Sequence, residues 1–274
     1  MTTNSQPARW HVGWQEYAKL WRLTRKRIRS ELDYREFQAF QAQLIFDYLF
    51  AFGVKLQGQR VLDLGSGIGG YSEQMARQGA EVVSVDLMAG AVSLEEGCMP
   101  VVGNALHIPL ATGSIDFVFC ASLIEHVPNP LRVLQEVARI LKPGGFCYLS
   151  FPPFYSPVGG HEYAPFHYFG EQWAMRLAGN RSQKSHPEWA KKLYPVNEQP
   201  TSFAGIYADW GLFVMTIAKA RRLIAQSGMT MLDQSTRYFP HSLARWPVLG
   251  ELLTWHVQFL LQQPVSNALH GSQR

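Results

Sequence analysis

Hydrophobic and polar positions change rhythm along this chain, and the changes mark its elements. Near the start, Phe37, Phe40, Leu44 and Tyr48 recur three and four apart, the signature of a helix that buries one face. This helix is predicted to end near Gly53, before a loop to Gly58. Upstream, Trp14, Tyr17, Leu20, Trp21 and Leu23 predict another helix, rich in aromatic rings. From Arg60 short apolar runs alternate with amphipathic stretches. Val61-Leu62-Asp63-Leu64 reads as a strand that enters Gly65-Ser66-Gly67-Ile68-Gly69-Gly70, followed by a helix from about Tyr71 to Gln78 that Gly79 stops. Glu81 to Val85 reads as a second strand ending on Asp86, Met99 to Val102 as a third and Asp116 to Cys120 as a fourth. Asn129 is placed to cap a helix with Pro130 in its first turn, where a missing N–H costs nothing. Leu131, Leu134, Val137 and Leu141 are expected on its buried side, Lys142-Pro143-Gly144-Gly145 at its end, and a fifth strand over Phe146 to Phe151.

Between about Pro152 and Gly211 the pattern breaks into a segment rich in Pro, Gly and aromatics, with His161, His167 and His186. Segments of this length inside a domain are usually functional lids or carry local structure. A helix resumes around Leu212 to Gln226, ended by Gly228, and Met229 to Gln234 reads as a sixth strand. Trp255, Val257, Phe259 and Leu261 alternate with His256, Gln258 and Leu260, which predicts a seventh, half-buried strand. Strands alternating with helices predict an α/β fold: a mostly parallel seven-stranded sheet with helices on both faces. The expected organisation is an N-terminal helical cover over 1–58 and a main domain over 59–274, with an insert at about 152–211.

Composition narrows this only a little. With 274 residues, 47% hydrophobic and 17% charged, the chain is an ordinary globular protein with a sizeable core. The net charge of +4 is mild, and no nucleic-acid partner is expected. One basic run, Arg22, Arg25, Lys26, Arg27 and Arg29, alternates with Leu23 and Ile28. It reads as the wet side of an amphipathic helix, with contact to an anionic substrate or a membrane surface as the alternative. Cys98, Cys120 and Cys147 have no CxxC spacing and suit core thiols of a reducing, cytoplasmic setting. MTTNSQPARW shows no secretory signal, no apolar run is long enough to span a membrane, and the sequon Asn180-Arg181-Ser182 reads as chance.

The loop from Gly65 to Gly70 satisfies GxGxxG, and Asp86 closes the next strand, where a carboxylate can accept from ribose hydroxyls. That pattern alone also suits a nicotinamide enzyme. Asp63, inside the first strand, argues against it, because such a strand is buried on both faces and a buried carboxylate must find partners.

Val61-Leu62-Asp63-Leu64-Gly65-Ser66-Gly67-Ile68-Gly69 resembles the class I S-adenosylmethionine-dependent methyltransferases. The resemblance runs on through Ser114-Ile115-Asp116-Phe117-Val118-Phe119-Cys120, Glu125-His126-Val127-Pro128-Asn129-Pro130, and Leu141-Lys142-Pro143-Gly144-Gly145. Together these are similar to the group that includes ubiquinone and menaquinone biosynthesis methyltransferases. The resemblance implies a Rossmann-like fold with the last strand antiparallel, and S-adenosyl-L-methionine as cofactor. It puts Gly65, Ser66, Gly67 and Gly69 against the methionine part, with Asp63 helping to position the ammonium. Asp86 is to hold the ribose diol and Leu87 to pack on adenine. Asn104, where the family usually has Asp, and Ala105 are to meet the adenine edge, and Cys120 and Ala121 to offer backbone. An Asn carbonyl accepts the same bond without the charge.

Methyl transfer from a sulfonium depends on holding nucleophile and methyl in line, and a hydroxyl acceptor also needs a base. The candidates are His161, Glu162 and His167 in the segment after strand five, on the carboxyl edge where open α/β sheets bind ligands. No metal is expected, since His161-Glu162 followed by His167 lacks the helical HExxH spacing. Glu125-His126 reads as bracing its own loop. The leading expectation is an enzyme acting on a small-molecule methyl acceptor, a hydroxyl on a glycan, lipid or quinone-like metabolite. The alternatives are a nicotinamide-dependent oxidoreductase and a non-catalytic cofactor-binding regulator.

Overall fold

The computed structural model describes residues 12–88, 97–178, 188–191, 200–206, 210–238 and 242–265. Asn180-Arg181-Ser182, His186 and the first ten residues lie outside them. Two helices, α1 (Trp14–Lys26) and α2 (Glu31–Ala51), precede β1 (Arg60–Leu64), α3 (Gly70–Arg77), β2 (Glu81–Asp86) and β3 (Cys98–Val102). β4 (Ile115–Ala121), α4 (Pro130–Ile140) and β5 (Leu141–Phe151) follow. The insert carries α5 (Glu171–Ala178) and the turn α6 (Glu188–Lys191), and the chain closes with α7 (Ile217–Ser227), β6 (Thr230–Thr236), α8 (Leu249–Leu253) and β7 (Val257–Gln262).

The seven strands form one sheet in the order β3-β2-β1-β4-β5-β7-β6. The first five pair in parallel, and β7 runs antiparallel between β5 and β6, as the resemblance implies. Successive side chains of a strand point to opposite faces, and two cores result. Leu62, Leu64, Val83, Val85 and Val118 pack under Val133, Val137 and Ile140 of α4 and Ile217, Ala220 and Ile224 of α7. Val61, Val82, Phe117, Phe119 and Tyr148 pack under Ala42, Ile45, Phe46 and Leu49 of α2 and Met75 of α3. The N-terminal α2 is thus one of the helices that cover the second face. In α1 only Leu23 is buried, while Trp14 and Trp21 point outward at 89% and 61% exposure. Lys26 pairs with Asp33 and Glu36 of α2 while staying 40% exposed, and Arg22, Arg25 and Arg29 are exposed, as the wet side of a helix requires. Cys120 and Cys147 are buried, Cys98 is partly so, and all three are free thiols. No described helix is long and apolar enough to cross a membrane.

Four local expectations are corrected. Leu131 is only half-buried; Val133, Leu134, Val137 and Ile140 face inward instead, although Asn129 caps α4 as expected by accepting from the Arg132 N–H. Leu141 opens β5 rather than closing the helix, because it pairs with Ile115 across a register shift. Within the shift a Cβ on Gly145 would lie 2.9 Å from the carbonyl oxygens of Asp116 and Lys142, so the close approach requires glycine. The helix expected from Leu212 starts at Ile217, where the Thr216 side chain accepts from the Lys219 N–H. The residues before it stay extended, with the Phe213 N–H bonded to the Glu125 carbonyl and the Phe154 N–H to the Met215 carbonyl.

Finally, β7 is buried on both faces, not half-buried, because β5 and β6 flank it. Its polar position, Gln258, is buried and satisfied: it donates to Ser235 Oγ at 3.0 Å and accepts from the Tyr148 hydroxyl at 3.1 Å. Phe259, fully buried and stacked on Phe151, tests that placement. Phe259→Ala is expected to lower unfolding free energy in urea by about 3–5 kcal/mol. A loss below about 1 kcal/mol would mean the strand is half-exposed after all.

Candidate active site

The ends of β1 and β2 are level, with Leu64 opposite Val85, and this register builds the glycine loop. The N–H groups of Gly65 and Ser66 donate to the Val85 carbonyl at 2.8 and 3.2 Å, and that of Gly67 donates to Asp86 Oδ2 at 2.9 Å. Gly65, Gly67 and Gly69 have φ of 77°, 53° and 79°, the left-handed region that favours glycine. At Gly65 a Cβ would also stand 3.0 Å from the Leu123 side chain. The loop thus rests directly against the turn that follows β4. Ser66 is buried, and its hydroxyl has no hydrogen-bond partner among the described residues.

Asp63 is buried beside this loop. Its carboxylate accepts from Ser72 Oγ at 2.6 Å, and Ser72 accepts in turn from Ser84 Oγ at 2.8 Å. Burial pushes the Asp63 carboxyl up to about 7; the Asp86 charge adds to this and the Ser72 bond opposes it. Leu87, beside Asp86, is 40% exposed. Asn104 turns its Oδ1 onto the Leu106 N–H at 2.8 Å, next to buried Ala105. Cys120 is buried at the end of β4, Ala121 is half-buried, and Ser122 leaves the strand at φ 55°. All these expected cofactor residues therefore lie at the carboxyl edge of β1 to β4. An orphan hydroxyl, two carboxylates and an exposed apolar side chain fit a ligand with an amino-acid end, a diol and an aromatic ring.

On the acceptor side the three catalytic candidates are not brought together. His167 is buried in the insert, with its ring edge-on to Phe154 and against the backbone of Gly160; burial holds its pKa below the ordinary value. Glu162 is half-buried on the short turn His161–Tyr163. His161 instead joins Glu125 and His126, and one donor atom from each lies within 4.8 Å of the others. The His161 and His126 rings meet edge-on at 4.8 Å, and Trp210 meets His126 at 4.6 Å. Burial pushes the Glu125 carboxyl up to about 8 and the His126 imidazole down to about 3. His126 is therefore neutral, and its Nδ1 lies 2.8 Å from the Gly211 carbonyl. A carbonyl only accepts, so Nδ1 carries the proton and Nε2 is left with the lone pair. The sequence hint was slight: one carboxylate in the apolar turn Leu123-Ile124-Glu125-His126-Val127.

The raised Asp63 pKa has a defined sign. Between the ordinary value of 3.8 and about 7 the folded chain holds a proton that the unfolded chain has lost, so stability falls as pH rises through that window. Asp63→Asn removes this slope. In urea titrations from pH 4 to 7.5, the variant is expected to gain stability relative to wild type as pH rises. Parallel curves would show that Asp63 is ionised in the fold throughout.

The profile of a methyltransferase domain matches residues 62–149. An uncharacterized methyltransferase of Mycobacteroides abscessus is 32% identical over 205 residues, covering 66% of this chain and 78% of its own length. Another from Mycobacterium ulcerans is 29% identical over 239 residues, covering 83% and 86%. A crystal structure of an S-adenosylmethionine-dependent methyltransferase from Mesorhizobium loti superposes with a TM-score of 0.53 at 17% identity, covering 81% of this chain and 97% of that one. With the parallel sheet, the antiparallel β7 and the glycine loop, these likenesses identify the cofactor as S-adenosylmethionine. The chain belongs to the class I S-adenosylmethionine-dependent methyltransferases.

Proposed function

We propose that the protein methylates a hydroxyl group on a small acceptor with a large apolar body, such as a lipid-linked glycan or a quinone-like metabolite. The observation that carries this reading is the group of buried Glu125 and His126 with half-buried His161 at the carboxyl edge, joined to the glycine loop through Leu123. Phe154, Tyr163, Phe203 and Leu212 form a separate apolar core in the insert, and Tyr155 and Tyr168 stay 41% and 42% exposed beside it. That surface suits an apolar acceptor better than a highly charged one. The nicotinamide alternative rested on glycine spacing alone and has no further support.

S-adenosylmethionine supplies an electrophilic methyl group on a cationic sulfur. On this reading Ser66 and the Gly65 to Gly69 backbone bind its methionine end, with Asp63 beside the ammonium. Asp86 takes the ribose diol with the oxygens that now hold the loop, and Leu87, Asn104 and Ala105 border the adenine. The Cys120–Ala121 backbone closes the site from β4. His161 receives the acceptor hydroxyl and takes up its proton, neutral His126 and Glu125 line the same position, and Glu162 and His167 shape the insert. A base of this kind contributes about 10²–10⁴-fold to rate, and alignment supplies much of the rest.

Two measurements test this. Asp86→Ala is expected to weaken S-adenosylmethionine binding by about tenfold to a hundredfold in calorimetry, the worth of a charge-assisted contact. Unchanged affinity would remove Asp86 from the ribose. In transfer assays with methyl-labelled cofactor, hydroxyl acceptors with long apolar tails should yield ether products, and His161→Ala should lower kcat by about a hundredfold or more. Label appearing only on amines or carboxylates of charged, soluble acceptors would sink the hydroxyl reading.

A further inference from the structure

We propose that Glu125, His126 and His161 form a binding site for one divalent transition-metal ion, best suited to zinc. The inference builds on the position given above to the acceptor hydroxyl, but the site itself stands on the chain's own geometry. Two imidazoles and one carboxylate are a donor set that such ions favour, and three protein donors leave a position open for a further oxygen ligand. Their donor atoms already lie within 4.8 Å of one another, and His126 Nε2 is 3.9 Å from Glu125 Oε1. Tetrahedral zinc with bonds of 2.0–2.2 Å holds its ligands roughly 3.3 Å apart, so the widest pair needs to close by up to about 1.5 Å.

Two features point to a cation. Glu125 is 2% exposed, and neither carboxyl oxygen has a hydrogen-bond partner among the described residues, an arrangement that weakens a fold unless something satisfies it. A metal ion is the partner that satisfies it. The bond from His126 Nδ1–H to the Gly211 carbonyl fixes the tautomer and leaves Nε2 as the ligating atom, as the outer hydrogen bond of a metal-bound histidine does. His161 has φ 49°, in the left-handed region that histidine visits more often than most residues. Its loop is closely packed: a Cβ on Gly159 would overlap the Pro153 carbonyl, and one on Gly160 the His167 ring. The His161 ring meets His126, in the turn after β4, edge-on at 4.8 Å. The spacing of His161, Glu162 and His167 concealed this site, because its ligands come from two loops. At the open position the ion would bind the acceptor oxygen and favour its ionised form, a role that would replace proton uptake by His161, whose ring nitrogen the ion occupies.

The test needs no acceptor. Full-length protein, dialysed against chelator and then metal-free buffer, is titrated with Zn²⁺ alone in the calorimeter and with Co²⁺ in the spectrophotometer. The expected result is one ion per chain, a visible cobalt absorption band of low coordination number, and at least tenfold weaker binding in Glu125→Gln and His161→Ala. Circular dichroism verifies that each variant is folded, and the wild-type cobalt spectrum stands even if a variant is not. No cobalt band, or equal affinity in wild type and folded His161→Ala, overturns the site. Methyl transfer to a hydroxyl acceptor is followed in the same preparations. Transfer without metal binding removes the metal site and leaves the hydroxyl reading intact; metal binding with transfer only to charged amines does the reverse.

Discussion

The level ends of β1 and β2 are the constraint on which the rest of the site depends. Because Leu64 pairs with Val85, a single carbonyl, that of Val85, takes two N–H groups of the glycine loop, and the next residue, Asp86, takes a third. A shift of one residue would turn every side chain of β1 to the opposite face and place Asp86 out of reach of Gly67. The two separate cores prevent this, since each holds alternate residues of the same strands. Packing far from the loop thus fixes the loop's donors. It also sets Leu123 against Gly65, so the cofactor side and the acceptor side share one wall.

The acceptor side is assembled by a different logic. Its groups come from the turn after β4 and from an insert after β5, and they meet because extended chain bridges the two. The Phe213 N–H bonds to the Glu125 carbonyl, the Gly211 N–H to that of His126, and the Phe154 N–H to that of Met215. The first two tie the end of the insert to the turn that carries Glu125, and the third ties its start to the same extended chain. The insert then keeps an apolar core of its own around Tyr163 and Phe203, which limits how far the two halves can separate.

This difference explains what the sequence made legible. Strands and helices announce themselves through periods of two and 3.6, so the sheet, its helices and the glycine loop were readable with boundaries off by a few residues. The errors arose where a neighbour overrode local pattern. Gln258 looked like the wet side of a half-buried strand, yet β5 and β6 enclose it and Tyr148 and Ser235 satisfy it. Leu141 continued the spacing of α4, but pairing with Ile115 drew it into β5. The cofactor-side candidates were readable because they follow consecutive strand ends. His161, Glu162 and His167 were readable as polar groups in an aromatic segment, but their partners were not. Nothing in the spacing of an irregular insert says which histidine turns inward to its own core and which meets a turn some forty residues earlier.

The burial of Glu125 and Asp63 follows from the same geometry. Both carboxyls sit at the carboxyl edge with pKa values raised toward neutrality by desolvation, yet only Asp63 has a side-chain donor, Ser72. A core that needed merely to fill space would place an apolar side chain at position 125, since an unsatisfied polar group weakens packing without adding contacts. Asp63 is accounted for by its serine chain and by the ammonium it faces under the proposed cofactor assignment. Glu125 has no such account within the fold, and its nearest polar neighbours are imidazoles rather than donors fixed on its oxygens. The cost of that arrangement is recovered when a group with positive charge or a proton to give meets the Glu125 carboxyl.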